Sequence, residues 1–462
     1  MKYLRIFLLL ACVTVILARV ENALWNPTFS PDQLHQLAGA INLLEGHGVS
    51  AAYTEAAAPE IIHYQPIVQS PPGYSWLTAA GIFLTGDLYS AVILNDLFFT
   101  LLQLVSAAWL LSLVPRMASY LKMVWFSAFA LNTSLVTVNT AVDTAAMGGY
   151  TLALACLLYS MRQQQGSLVA GITAGIALTF CLVMRYAYLP QAFLIPAMLA
   201  LIFLLEKNKD QLRFLVALTA TLIMGFIMYY LLSPGHSIRP GYVPQVARGL
   251  FPGNLIRFNY AFMYQGFFSA NEWRLLVAAM FESAGAMFKV AVLISKVAAV
   301  IAGMAAMIVL ILRFVREVHG LFNKKRASMS AMIGNSAAFV WVLFGGMGCN
   351  LLLLVYLSLT NPMQTWAKEG WTFVQEARYY VPSWLTLWIV AVISLREKDG
   401  QTWWNSMRYW IPIILLGVNV VAFSYYKRLS STRQPDYLYR ATCTDNGINH
   451  IRVRSYSKGC EY

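Results

Sequence analysis

Charged side chains are scarce in this sequence of 462 residues. Only 11% of the residues are Asp, Glu, Lys or Arg, against about 25% in soluble domains, whereas 59% are apolar. The apolar residues lie in blocks of roughly 20, the length that a helix needs to cross the hydrocarbon core of a bilayer. This pattern excludes a soluble globular fold. It also excludes a closed β-barrel, whose strands alternate over about ten residues.

Nucleotide-binding fingerprints are also missing, since neither GxxxxGK[ST] nor GxGxxG occurs. The formal net charge is +13, but the basic residues stand singly between apolar blocks and do not form one stripe. Nucleic-acid binding is therefore not expected. No internal repeat of the kind found in many secondary transporters is visible.

The apolar blocks predict an all-α polytopic membrane protein with about eleven transmembrane helices. The first block follows a basic start, MKYLR, and fits either a signal peptide or a short first span; we prefer an uncleaved span. The further predicted spans are 88–113, 120–138, 146–161, 167–184, 189–205, 212–232, 290–312, 337–359, 379–395 and 409–426.

Orientation follows from the distribution of basic residues. No Lys or Arg occurs between residues 20 and 115, whereas the short turns on the opposite side are rich in both. The N-terminus is therefore predicted to be cytoplasmic and the first long loop to lie outside.

The predicted organisation is one transmembrane domain, residues 1–426, with two long outer loops and a short outer tail. The loops are residues 20–87 and 233–289, and the tail is residues 427–462. Cys443 and Cys460 in the tail could oxidise to a disulfide outside the membrane or stay as two unpaired thiols.

The first outer loop contains SPDQLHQLAGAINLLEGHGVS, which predicts an amphipathic helix on the outer membrane surface with Asp32 near its N-terminal end. As an alternative role, Asp32 could simply cap this helix. The prolines of PEIIHYQPIVQSPPGYSW predict an irregular path to a second interfacial helix. Tyr64 and the following Tyr74 and Trp76 suit the lipid headgroup region.

Several motifs together resemble the GT-C superfamily of membrane glycosyltransferases, in the bacterial branch of protein mannosyltransferases and lipid A aminoarabinose transferases. The motifs are SPDQLHQLAGAINLLEGHG, QSPPGYSWL, NTAVDTAAMGGYTLAL, MRYAYLP and ARYYVPSW, and they follow the family order from residue 30 to about 385. The resemblance implies transfer of a sugar from a polyprenyl-phosphate carrier to a lipid, glycan or protein acceptor. It places this reaction at the outer face of a bacterial inner membrane.

The resemblance also implies roles for particular residues. Asp32 matches the acidic residue of the first outer loop and would accept the proton of the acceptor hydroxyl. Many relatives carry an adjacent Asp-Glu pair, whereas Gln33 follows here, so a second carboxylate role is in doubt; Glu60 is a substitute. Asp143, in a predicted outer turn, is either a helix cap or a family-matched site residue.

Arginine binds phosphate through two parallel hydrogen bonds, and two arginines stand at predicted membrane boundaries. Arg378, in EARYYVP, matches the late Arg-Tyr of the family pattern, and Arg185, in MRYAYLP, is the second candidate for binding the lipid phosphate. The alternative for both is that the guanidinium reaches the headgroups without binding a substrate.

Two acid-histidine pairs share a spacing of three residues, Asp32 with His35 and Glu60 with His63. Some GT-C enzymes use a divalent metal, but these pairs lack closer ligand spacing, and no metal site is assigned.

Two other classes of protein remain open. A transporter or lipid flippase would place ionisable residues within the membrane, and most of the predicted spans carry no charge. A non-catalytic assembly protein would keep the fold without the chemistry, and the missing second carboxylate supports that reading.

Overall fold

The structure is a computed structural model that describes most of the first half of the chain and two segments of the second. The described residues are 2–25, 31–55, 58–67, 70–114, 118–131, 141–163, 167–206, 209–233, 336–360 and 380–394, with isolated positions between 250 and 312 and at 417 and 420.

The described part is mostly helical, as predicted. Its helices are α1 (Lys2–Trp25), α2 (Pro31–Leu44), α3 (Gly73–Thr85), α4 (Leu88–Leu113), α5 (Ser119–Leu131), α6 (Ala141–Gln163), α7 (Leu168–Met184), α8 (Leu189–Glu206), α9 (Lys209–Leu232), α10 (Ser336–Thr360) and α11 (Val381–Ser394). A 3-10 turn, Tyr186–Tyr188, joins α7 to α8, and two strands, β1 (Ser50–Glu55) and β2 (Ala58–Pro66), follow α2.

Five stretches within the described helices are long and apolar enough to cross a membrane: Arg5–Leu24, Leu88–Leu113, Ala141–Arg162, Tyr186–Leu204 and Gln211–Leu232. Helix α7 and part of α10, Val342–Tyr356, are apolar but shorter. The protein is therefore an integral membrane protein. The count of about eleven spans stays a prediction, because segments 290–312 and 409–426 lie almost entirely outside the described residues.

The path between the two helices of the first loop is non-helical, as predicted, but it is a regular β-hairpin and not an irregular path, so the chain is mostly helical and not strictly all-α. Strands β1 and β2 form an antiparallel hairpin in which Ser50 pairs with Pro66 and Thr54 with Ile62. Both strands of a two-stranded sheet are edges, so Pro59 and Pro66 can lie in β2 without removing a hydrogen bond from a central ladder. The two flanking helices, α2 and α3, are present as expected.

Helix α6 is the central helix of the bundle and begins five residues before the predicted span 146–161. Almost all of its side chains are buried, and it packs against α4, α7, α10 and α11. Gly148 and Gly149 do not interrupt it. A Cβ atom at Gly148 would lie 3.1 Å from the backbone nitrogen of Gln103, and a Cβ atom at Gly149 would lie 2.9 Å from the Cys181 sulfur. The two glycines therefore permit close packing of α6 against α4 and α7.

Helix α1 is part of the bundle. It packs against α4 and α5, where the Cys12 thiol lies 3.4 Å from the Met123 carbonyl oxygen and 3.3 Å from the Ser127 hydroxyl. The stretch Arg5–Leu24 is long and apolar enough to cross a membrane, and the absence of cleavage stays a prediction.

The chain runs back and forth, so the helices share two ends. We call the end where α1 and α7 finish and α4, α6 and α8 begin the loop end, because the first loop lies there. At the opposite end, Lys122 and Arg162 donate to the carbonyls of Ser112 and Leu113 at 2.9 and 2.5 Å. Basic side chains thus satisfy the last carbonyls of α4, as its dipole favours.

Candidate functional site at the loop end

An ion pair between helices α6 and α7 lies at the loop end. The Arg185 Nε atom lies 2.5 Å from Asp143 Oδ1, and Arg185 Nη2 lies 2.8 Å from Asp143 Oδ2. The side chains are 13% and 3% exposed, so the pair is largely withdrawn from solvent. Two parallel bonds to one carboxylate fix the plane of the guanidinium.

The surroundings of this pair correct two details of the sequence interpretation. Asp143 lies in the first turn of α6 and not in a loop before it, and its carboxylate binds Arg185. Arg185 ends α7 with an extended backbone, and its guanidinium is directed to Asp143 instead of reaching freely to the headgroups. Whether Arg185 binds a lipid phosphate stays a prediction.

Buried aromatic and amide side chains lie next to the pair. Tyr188 and Tyr150 meet edge to face, with ring centroids 5.6 Å apart, and both are almost completely buried. The Gln191 amide donates to the Gly346 carbonyl at 3.2 Å and thereby joins α8 to α10. These contacts tie the loop-end pair to the second half of the described bundle.

The PPGY turn of the first loop packs directly against the end of α7. A Cβ atom at Gly73 would lie 2.5 Å from the Val183 carbonyl oxygen, so only glycine allows this approach without a shift. Val183 is two residues before Arg185. Two motifs that lie more than one hundred residues apart in the sequence are therefore neighbours, and the start of α3 lies close to the ion pair.

Asp32 lies in the first turn of helix α2, and the helix dipole favours a carboxylate there. The next residue, Gln33, is buried and lies beside the Tyr74 hydroxyl of α3. The Ser75 hydroxyl also donates to the Gln36 carbonyl at 2.7 Å, which fixes α2 on α3.

A second group of buried polar side chains lies beneath this loop and was missed from the sequence. We call Arg19, Gln33, Tyr74, Thr78, Asn95, Asp96 and Gln103 the buried polar cluster; all are less than 9% exposed. Arg19 Nη2 donates to Gln103 Oε1 at 3.1 Å, and Asp96 attracts the Arg19 guanidinium electrostatically. Asn95 Nδ2 donates to Thr78 Oγ1 at 3.0 Å.

Tyr74 links the cluster to the first loop. Burial raises the pKa of its hydroxyl well above the ordinary value, and the negative charge of Asp96 raises it further. The hydroxyl therefore stays protonated at neutral pH and keeps a proton to donate. The only signal in the sequence was one Asp and one Arg inside apolar blocks.

The other candidates of the first loop lie on β2 and on α2. The Tyr64 ring stacks on His47, with centroids 3.7 Å apart, and lies on β2 with Glu60 and His63. His35 lies part-buried on α2, with Nδ1 lacking a hydrogen-bond partner in the described part of the chain. Among the side chains that the structure describes, no three His, Cys, Asp or Glu come together as metal ligands would.

Arg378, Cys443 and Cys460 lie outside the described residues. Tyr380, two positions after Arg378, is completely buried at the start of α11.

No family model and no curated protein matches the sequence. Solved structures that resemble the chain include ArnT from Cupriavidus metallidurans in the apo state and bound to undecaprenyl phosphate. Both are 14% identical to it, and the alignment covers 83% of this chain and 76% of that one, with TM-scores of 0.37 and 0.36. Scores this low do not establish a shared fold.

Proposed function

We propose that the protein is a membrane glycosyltransferase. It moves a sugar from a polyprenyl-phosphate carrier to an acceptor at the face of the membrane where the first loop lies, and this face is the outer one. The bonds that change are simple to state. The acceptor oxygen bonds to the anomeric carbon, the bond from that carbon to the phosphate oxygen breaks, and the acceptor proton passes to the Asp32 carboxylate.

The observation that carries this proposal is the meeting of three motifs at the loop end. The contact of Gly73 with Val183 brings the PPGY turn to the Asp143–Arg185 pair, and the contact of Ser75 with Gln36 fixes α2 on the same turn. An acid for the acceptor and a cation for the departing phosphate thus belong to adjoining elements. This is the arrangement that the chemistry requires.

Arg185 supports the phosphate role through its rigidity. A guanidinium held by two bonds to Asp143 loses little further freedom when it binds an anion, which makes its charge preorganised. Asp143 also lowers the net positive charge of the site. We therefore propose that Arg378 supplies a second cation for the phosphate.

A test of the reaction uses the purified protein in proteoliposomes with a radiolabelled polyprenyl-phosphate sugar and a membrane extract as acceptor. Time-dependent loss of label from the carrier with release of polyprenyl phosphate supports the proposal. A carrier that stays intact in every acceptor mixture, with folded protein present, contradicts it.

A transporter or lipid flippase is the second candidate, because Arg19 and Asp96 are ionisable residues within membrane-spanning helices, where transport pathways place them. The same proteoliposomes separate the two functions. A flippase moves the labelled carrier between leaflets without breaking its phosphate–sugar bond, whereas a transferase breaks it.

A further inference from the structure

Helices α7 and α9 lie side by side in a fixed register. A Cβ atom at Gly171 would lie 2.7 Å from the Phe214 carbonyl oxygen, and a Cβ atom at Gly175 would lie 2.9 Å from the Leu218 carbonyl oxygen. The two contacts have the same separation in sequence, so the two helices run parallel to each other. Because glycine lets the backbones approach closely, α9 is a firm support for the end of α7.

Tyr229 continues this register at the loop end. Its hydroxyl lies 3.0 Å from the hydroxyl of Tyr186, which is 43 positions earlier in the chain, as Gly171 is from Phe214. Tyr186 directly follows Arg185 and is 39% exposed, whereas Tyr229 is only 9% exposed. A buried tyrosine of α9 therefore fixes a partly exposed tyrosine next to the arginine of the ion pair.

The ring of Tyr229 also contacts the first loop. The Trp76 and Tyr229 rings have centroids 6.4 Å apart at an interplanar angle of 59°. Trp76 lies in the first turn of α3, and its amide donates to the Pro72 carbonyl at 2.9 Å. Gly73 begins the same turn and meets Val183 at the end of α7. Tyr229 thus supports, from a third helix, the contact that brings the PPGY turn to the ion pair.

Few backbone hydrogen bonds hold the chain around Arg185. Its amide donates to the Cys181 carbonyl at 2.8 Å, and its carbonyl accepts from the Tyr188 amide at 3.2 Å. A single 3-10 turn has little stability by itself. The bond between Tyr186 and Tyr229 therefore adds an anchor directly beside the point where the Arg185 side chain leaves the backbone.

We propose that Tyr229 is a positioning residue for Arg185. Through its hydroxyl and Tyr186, it fixes the turn from which the Arg185 guanidinium reaches α6. Through its ring and Trp76, it keeps the first turn of α3 next to that turn. The structural part of this inference stands by itself, and its catalytic consequence rests on the proposed function.

The two contacts of Tyr229 can be removed separately. Tyr229→Phe removes the hydrogen bond and keeps the ring on Trp76, and Tyr186→Phe removes the same bond from the other side. Tyr229→Leu removes both contacts. Tyr89→Phe is the matched control, because Tyr89 is 40% exposed at the same end of the bundle and its hydroxyl has no hydrogen bond to the described part of the chain.

Hydrogen exchange of the full chain in nanodiscs measures the two effects separately. The Tyr188 amide reports on the turn after Arg185, and the Trp76 amide reports on the first turn of α3. We expect the Tyr188 amide to exchange about two- to tenfold faster in Tyr229→Phe and in Tyr186→Phe, as the loss of one hydrogen bond implies. The Trp76 amide should be unchanged in these two variants, and both amides should exchange faster in Tyr229→Leu.

Two results would overturn the inference. One is a Tyr188 amide that exchanges at the wild-type rate in both single phenylalanine variants of the pair, and the other is an equal acceleration in Tyr89→Phe. Each phenylalanine variant lacks only one hydroxyl, so a failure of Tyr229→Leu to fold leaves this test intact. The exchange rates do not depend on enzymatic activity, so they decide the inference even if the protein proves not to transfer sugars.

A kinetic readout then tests the link to Arg185. If wild-type protein transfers sugar, Tyr229→Phe should lower kcat about two- to tenfold with little change in KM for the donor, because a displaced guanidinium stabilises the transition state less. In the Arg185→Ala background, Tyr229→Phe should have no further effect, since the group that it positions is gone. A further loss of the same size in that background would show that Tyr229 does not act through Arg185.

Discussion

Two arrangements of one arginine with one aspartate occur in the described part of the bundle, and they differ in geometry and depth. Arg185 and Asp143 touch through two direct bonds at the loop end, and the arginine is partly exposed. Arg19 and Asp96 lie on membrane-spanning helices and are almost fully buried, and Arg19 Nη2 donates to Gln103 Oε1 at 3.1 Å.

The difference separates a group that can meet a ligand from one that serves the structure. A partly exposed cation can exchange part of its environment for a phosphate at little cost, whereas a fully buried charge cannot be uncovered without a large loss of stability. We therefore propose that Arg185 binds the phosphate and that Arg19 has a structural role. The first two predictions below each break one of the two arrangements.

The largest effect on stability should come from the deep pair. Asp96→Asn removes a negative charge that acts on the buried Arg19 guanidinium and should lower the free energy of unfolding by about 3–5 kcal/mol. Asp143→Asn should cost clearly less, since water can reach Arg185. Denaturant titration in mixed micelles compares the two variants. Equal losses of unfolding free energy would show that the two arrangements do not differ in stability.

The largest effect on transfer should come from the loop-end pair. Arg185→Ala should lower kcat/KM about 10²–10³-fold, the usual consequence of removing one preorganised group that stabilises a developing anion. Arg185→Lys should recover only part of the rate, because an ammonium cannot keep both bonds to Asp143. Full activity in Arg185→Ala would remove this residue from the phosphate site.

A smaller effect should follow from separating the first loop from α7. Gly73→Ala places a methyl group 2.5 Å from the Val183 carbonyl oxygen, so α3 must shift, at a cost of about 1–3 kcal/mol in unfolding free energy. Gly348→Ala is the matched control, since a Cβ atom there meets nothing within 4 Å. If both variants unfold at the same denaturant concentration, the close approach of Gly73 to Val183 does not contribute to stability.

The smallest effect concerns the aromatic contacts beside the pair. The hydroxyls of Tyr186 and Tyr229 lie 3.0 Å apart, and Tyr186→Phe should cost about 0.5–1.5 kcal/mol. Tyr229→Phe should cost a similar amount. The double variant should cost little more than either single variant, because each of the three variants removes the same hydrogen bond. Additive losses in the double-mutant cycle would show that the two hydroxyls act separately.

The spans were predictable because hydrophobic length is a strong local signal. The predicted span 88–113 has the same limits as α4, and α7 and α8 agree within one residue at each end. The predicted start of helix α6 was five residues too late, because its first turn contains Asp143 and its first half contains two glycines. In the structure these glycines serve packing between helices, which one sequence does not reveal.

The contacts of the site were not predictable, because they depend on tertiary structure. Asp143 and Arg185 are 42 positions apart, and nothing in their local sequence links them. Arg19 and Asp96 were hidden by the apolar residues around them. The hairpin was missed because its prolines outweighed the short β-branched stretch Ile61–Ile62.

The most direct test of sugar transfer concerns Asp32 itself. Single-turnover transfer from a polyprenyl-phosphate sugar should fall by at least about 10²-fold in Asp32→Asn, because the variant cannot accept the acceptor proton, whereas Asp87→Asn should react at the wild-type rate. Carrier binding and the hydrogen exchange of residues 31–44 should be unchanged in both variants. Wild-type transfer by Asp32→Asn would contradict the role of Asp32 as the base.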